Sequence, residues 1–233
     1  MKLLVSDYDG TIKTYDKNPN FVERLIFRKN IDAINDFCDD NKFVVATGRN
    51  TKSIYDETYK YDILYNYLIG YNGRVIVDKD NNIINAEYID NEFLNELNYV
   101  NIKDLTLYDE FKLNNTVDKP IYIYLELYNI KDVKKCILDW KERYPNLEIS
   151  YNYIFNTIII RKKSNKLLGI NKLLEIEDID IEKQNIITVG DETNDSEMIK
   201  YYNGYRMFFS NPKLWFTTNN VTPTVYKLIK KIK

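Results

Sequence analysis

The chain has 233 residues, enough for one large domain or two modest ones, and its 44% hydrophobic and 29% charged residues describe an ordinary globular protein. A net charge of −2 gives no electrostatic case for nucleic acid or an anionic membrane as a partner. Histidine is absent, which removes Ser-His-Asp hydrolysis, Cys-His proteolysis and imidazole-bound zinc.

The first residues run straight into an apolar strand and lack the basic and long apolar regions of a signal peptide. No apolar stretch approaches the roughly 20 residues of a membrane span, so a cytoplasmic location is expected. Cys38 and Cys136 belong to no metal-binding or redox spacing and fall near apolar helix stripes, which predicts buried, inert thiols.

In chain order, Leu3–Ser6 reads as a strand that runs into Asp7, Asp9, Gly10 and Thr11. Residues two apart on a strand point to one side, so two carboxylates come together at its end. Such like charges repel unless a cation neutralises them. A helix is expected over about Val22 to Asp39, with Phe27, Ile31, Ile34 and Cys38 at helical spacing. Phe43–Ala46 has the continuous apolar character of a buried parallel strand and stops at Thr47-Gly48-Arg49. A short helix from about Thr51 and a strand at Tyr67–Ile69, ending at Asn72-Gly73, complete a β-α-β-α-β series.

The middle changes character. Strands at Ile83–Ile89, Ile121–Leu127, Leu147–Tyr151 and Phe155–Arg161, with helices at Phe93–Tyr99 and around Val133–Tyr144, suggest an α+β insert over 81–161 with an antiparallel sheet. The α/β rhythm then resumes with a helix over Asn165–Glu175 and a strand at Ile186–Val189. That strand ends in Gly190-Asp191-Glu192-Thr193-Asn194-Asp195, and a last helix is expected from about Pro223. The expected class is α/β: a Rossmann-like parallel sheet built from 1–80 and 162–233, with 81–161 as a separate cap.

The chemistry-bearing residues gather at predicted strand ends. Asp7, Asp9, Asp191 and Asp195 offer oxygen ligands without Cys or His, which suits Mg²⁺ rather than zinc or copper. Thr47 offers a hydroxyl and a backbone N–H before a helix, and Lys166 a point positive charge. Carboxylates, a hard cation, a hydroxyl and a lysine are the parts needed for phosphoryl transfer. In such a site Asp7, Asp191 and the Asp9 carbonyl hold the cation, Asp7 attacks phosphorus, and Asp9 handles the protons.

These motifs resemble those of the haloacid dehalogenase-like phosphatases, and within them the Cof-type, capped subgroup. Val5–Thr11 matches the first family motif and Phe43–Arg49 the second. Lys166, Gly169, Ile170 and Leu173 match the third, Gly190–Asp195 the fourth, and Asn72-Gly73 the subgroup's turn after the third strand. The resemblance implies Asp7 as nucleophile, Asp9 as acid and base, and Thr47 and Lys166 as phosphate ligands, with Gly48, Arg49, Asn72 and Asn194 beside them. Asp191 would ligate the metal, and Asn194 and Asp195 would help hold the Mg²⁺ site and the lysine. It also implies a C2-type cap. Two segments depart from the family pattern: Tyr205–Phe209 is bulkier, and Val221-Thr222-Pro223-Thr224 replaces a glycine-containing run.

Plainer readings stand beside these. Asp7 and Asp9 alone are compatible with a solvated turn, Lys166 with one more surface lysine near Lys162, Lys163 and Lys172, and Arg49 with either substrate contact or a solvated or ion-paired side chain. The 21 tyrosines reflect overall composition, and Tyr122 and Tyr124 are expected on one sheet face. The expected partner is a small phosphorylated metabolite, with sugar phosphates foremost, handled by a monomer or small homo-oligomer. A phosphomutase of the same superfamily and a non-catalytic phosphometabolite-binding protein are the alternatives.

Overall fold

The computed structural model describes residues 1–15, 24–99, 102–108, 119–128 and 130–233. They divide into two compact units, residues 1–85 with 164–233, and residues 86–163.

The first unit opens with β1 (Leu3–Ser6), whose residues are all buried. A hairpin follows, with β2 (Lys13–Tyr15) antiparallel to β3 (Arg24–Ile26). The first helix, α1 (Arg28–Cys38), therefore begins later than the expected Val22: Arg24–Ile26 pairs as a strand, and Val22 lies outside the described residues. Next come β4 (Lys42–Ala46), α2 (Thr51–Lys60), β5 (Tyr67–Gly70), β6 (Val75–Asp78) and β7 (Ile83–Ala86).

The second unit holds α3 (Asn91–Glu96), β8 (Ile102–Tyr108), β9 (Tyr122–Leu127), α4 (Ile130–Arg143), β10 (Leu147–Asn152) and β11 (Thr157–Lys162). Its sheet runs β10-β11-β9-β8 with antiparallel pairings throughout. Ile123, Leu125, Ile158 and Ile160 on that sheet pack with Phe93 and Trp140 of the two helices. Tyr122 and Tyr124 stack at 6.4 Å, as neighbours on one sheet face do.

The chain then returns to the first unit through α5 (Lys166–Ile176), β12 (Ile186–Gly190), α6 (Ser196–Tyr201), β13 (Tyr205–Met207), β14 (Val221–Thr222) and α7 (Val225–Ile232). Thr224 caps α7 by accepting a hydrogen bond from the Lys227 N–H. The main sheet has the order β14-β13-β12-β1-β4-β5-β6-β7. The pairs from β14 through β5 are parallel, and β6 turns back antiparallel to β5. Ile83–Ala86 thus extends the main sheet, and Ile83–Asn85 belongs to the first unit, whereas the sequence had suggested a strand at Ile83–Ile89 within the insert.

Strands buried on both faces explain the unbroken apolar runs Leu3-Leu4-Val5 and Phe43–Ala46. Central β1 lies between β12 and β4, so the segments that follow all three leave the sheet at one edge. In open parallel sheets that edge is where ligands bind. Cys38 and Cys136 are half-buried rather than fully buried, and burial, helped by Asp39, raises the Cys38 thiol to about 11. Cys38 is therefore a poor thiolate at neutral pH.

Candidate active site

Asp7 follows β1 directly, its backbone N–H bonded to the Val189 carbonyl of β12. Lys166 opens α5, which Asn165 caps by accepting from the Leu168 N–H. The lysine is fully buried and its Nζ donates to Asp7 Oδ1 at 2.5 Å and Asp195 Oδ1 at 2.6 Å. The other oxygen of Asp195 accepts the backbone N–H groups of Asp191 and Glu192, both at 3.0 Å. Asp195 therefore ties the lysine to the loop that carries Asp191.

Two glycines permit this closeness. Gly10 has a φ of +86°, and a β-carbon there would lie 1.9 Å from Asp191 Oδ2. Gly73, at a φ of +95°, would place a β-carbon 2.1 Å from the Asn165 carbonyl oxygen, so it lets the loop after β5 reach the start of α5. Thr11 adds a hydroxyl donor to Asp191 Oδ1 at 3.3 Å.

Asp7, Asp191 and Asp195 are all buried, and one carboxylate oxygen from each lies within 4.8 Å of the other two. Burial pushes the Asp7 carboxyl well above its usual range; Lys166 pulls it back, and the Asp195 and Asp191 carboxylates push it up again. Burial and then Asp195 raise Asp191 to about 6. Burial opposes the Lys166 ammonium, but Asp195 and Asp7 more than offset that and raise it. Three buried carboxylates facing one ammonium carry an excess of negative charge. A hard divalent cation with oxygen ligands answers that excess, so the donor set fits Mg²⁺.

Asp9 lies outside this cluster, with its carboxylate Oδ2 3.5 Å from Arg49 Nη1. Thr47 follows β4 and is buried. Its N–H is already bonded to the Ile69 carbonyl at 2.8 Å, continuing the β4–β5 ladder, so of the hydroxyl and the backbone N–H expected as donors the backbone group is taken. That hydroxyl oxygen also accepts the Arg49 N–H at 3.1 Å. Gly48 is exposed beside Asn72, and a β-carbon on it would come within 3.4 Å of the Asn72 amide. Asn72 Oδ1 accepts from Asn194 Nδ2 at 2.9 Å, joining the loops after β5 and β12.

The structure thus gathers Asp7, Asp191, Asp195 and Lys166 into one buried group, and pairs Asp9 with Arg49 and Asn72 with Asn194. Arg49 makes an internal ion pair: Nη2 donates to Glu57 Oε1 at 2.7 Å and Nε to Ser53 Oγ at 3.1 Å. The sequence reading passed over Glu57. Its signal was the four-residue spacing of Arg49, Ser53 and Glu57, the last two on one face of α2 and Arg49 just before its first turn.

The family model for haloacid dehalogenase-like hydrolases matches residues 4–108 and 95–227. An uncharacterized protein of Mycoplasma capricolum is 27% identical over an alignment of 253 residues that covers 90% of this chain and 89% of that protein. The crystal structure of a Thermotoga maritima protein superposes with a TM-score of 0.76 at 19% identity, covering 100% of this chain and 97% of its own. A subclass IIB sugar phosphatase of the haloacid dehalogenase superfamily superposes at 0.66 with 17% identity, over 99% and 98% of the two chains. These structural likenesses speak to the fold, and the family match covers most of the sequence. The chain belongs to the haloacid dehalogenase-like hydrolase family.

Proposed function

We propose that this hydrolase is a Mg²⁺-dependent phosphatase that cleaves small phosphorylated metabolites, sugar phosphates foremost, through an aspartyl-phosphate on Asp7. The observation that carries the reading is the buried Asp7 carboxylate, gripped by Lys166 within a cluster of three carboxylates. Asp7 and Asp191, with the Asp9 carbonyl, would hold Mg²⁺, which when bound lets a phosphate dianion approach a carboxylate.

The chain's own residues supply the rest. With Oδ1 held by Lys166, Asp7 presents its carboxylate to phosphorus in a fixed orientation. An oxygen of Asp7 forms the new P–O bond as the bond to the ester oxygen breaks, and Asp9 passes its proton to the departing alkoxide. Asp9 then takes a proton from water, whose oxygen attacks the same phosphorus. The bond to Asp7 breaks, releasing inorganic phosphate and restoring both carboxyls. Lys166 and the Thr47 hydroxyl are suited to balance charge on the phosphoryl oxygens.

The second unit, residues 86–163, is the proposed C2-type cap that selects the substrate, with the catalytic core formed by the rest of the chain. The sugar phosphatase among the similar structures supports sugar phosphates as the first class to try. The test is a panel of phosphorylated metabolites incubated with the protein and Mg²⁺, scored for released phosphate. Release from a subset of sugar phosphates is expected, and no release from any phosphomonoester contradicts the reading.

A further inference from the structure

Glu57 is engaged by three side chains, each tied to the loop that carries Asp9. Its Oε1 accepts from Arg49 Nη2 at 2.7 Å, and its Oε2 from Lys13 Nζ at 2.8 Å and the Tyr8 hydroxyl at 3.1 Å. Tyr8 is fully buried and immediately precedes Asp9. Lys13 is bound to the same loop through its backbone: its N–H meets the Tyr8 carbonyl at 2.9 Å, and its carbonyl accepts the Gly10 N–H at 2.7 Å. Arg49 reaches the Asp9 carboxylate itself with Nη1 at 3.5 Å, and its guanidinium lies 5.9 Å from the centre of the Tyr8 ring.

A guanidinium is a planar fork, so fixing one end fixes the other. Glu57 and Ser53 hold Nη2 and Nε, which leaves Nη1 aimed at Asp9. Glu57 stands on α2, a packed helix, whereas Asp9 sits in the turn after β1. The clamp thus transfers the rigidity of a helix to a carboxylate in a loop.

We propose that Glu57 is a positioning residue for proton transfer at Asp9, acting through Arg49, and that Arg49 serves Asp9 rather than the substrate phosphate. The proposal rests on the phosphatase reading above and deepens it. Misplacing an acid that protonates the leaving group matters most when that group is a poor one. A weakened phosphate ligand would instead cost every phosphate ester alike.

The experiment compares Glu57→Gln with wild type on an alkyl phosphate and on p-nitrophenyl phosphate, using kcat/KM, to which hydrolysis of the aspartyl-phosphate does not contribute. Inhibition by inorganic phosphate is measured alongside. The expected result is a loss of about tenfold or more on the alkyl ester and less than about threefold on the aryl ester. Phosphate inhibition should stay within about twofold of wild type, and Arg49→Lys should give the same pattern, because an ammonium cannot bridge Glu57 and Asp9 as a fork does. If Glu57→Gln fails to fold, Glu57→Asp, which withdraws the carboxylate by one methylene, carries the same comparison. Equal losses on both esters, or phosphate inhibition weakened about tenfold, would overturn the proposal while wild-type turnover kept the phosphatase reading intact. A wild-type protein inert on both esters would overturn both.

Discussion

Lys166 carries two ion pairs with no solvent exposure, so it tolerates little change. Lys166→Met would leave Asp7 and Asp195 buried without their cation, and breaking such a pair costs about 3–5 kcal/mol. The variant should unfold at markedly lower urea concentration and show no turnover; wild-type stability would contradict the assignment. Gly10→Ala is expected to act more locally, since its β-carbon would displace Asp191 and occupy a backbone conformation that disfavours it. Mg²⁺ affinity, read by calorimetry, should fall about tenfold or more. Glu57 makes a pH prediction. Burial opposes its charged form, yet hydrogen bonds and charges from Arg49 and Lys13 bring it from 4.5 to about 2. A carboxyl whose pKa is lowered on folding stabilises above its unfolded value and loses that contribution as pH falls through the folded one. After discounting for partial exposure, the contribution is about 1–2 kcal/mol. The stability gap between wild type and Glu57→Gln, followed by urea denaturation, should therefore close between about pH 5 and pH 2; a gap that widens would have the wrong sign. The acidic residues were legible because each follows an apolar run, whereas Glu57 sits mid-helix in α2, where a charged residue ordinarily faces water.

Among the elements, those with strong internal periodicity were read correctly. The continuous apolar runs of β1, β4 and β12 gave core strands, and the helical stripe Val133, Ile137 and Trp140 gave α4. Those missed have physical reasons. Strand β8 shifts register between Ile102 and Asp104, which breaks the period-two alternation on which recognition depends. Strand β6 follows Asn72-Gly73 closely, where the turn reads as the end of the sheet, although three residues with positive φ, Tyr71, Asn72 and Gly73, reverse the chain and send it back antiparallel to β5. The second unit has its own core, in which Phe93 meets Trp140 edge-on at 5.4 Å and Tyr144 at 5.0 Å. Trp140→Ala should cost about 3–5 kcal/mol in that unit. Hydrogen exchange should then quicken across β9, β10 and β11 before β1, β4 and β12; equal loss of protection in both would show a single cooperative core.

At the scale of the whole molecule, the expected class was legible because three short motifs follow the apolar strands β1, β4 and β12 and a fourth opens helix α5, and the family match agrees. The point where the chain leaves the main sheet was not legible, because Ile83–Ala86 looks locally like any strand and only its partner β6 decides where it belongs. No helix among the described residues is long and apolar enough to cross a membrane. If Asp7 and Asp191 hold Mg²⁺, the cation at about a hundred times its dissociation constant should stabilise the folded protein by about 2.7 kcal/mol, and Asp191→Asn should abolish that gain. Activity should vanish in chelator and return with Mg²⁺ or Mn²⁺ but not Ca²⁺, which favours looser and higher coordination. The central claim, an aspartyl-phosphate on Asp7, is tested most directly by mass spectrometry of Asp9→Asn during turnover of p-nitrophenyl phosphate. Its good leaving group needs little protonation, so Asp7 should still be phosphorylated while the missing base slows hydrolysis. The account predicts a burst of nitrophenol, near-arrest, and added phosphate on Asp7, with neither burst nor phosphate in Asp7→Asn. Phosphate on a Ser, Thr or Lys, or normal turnover by both variants, would contradict it.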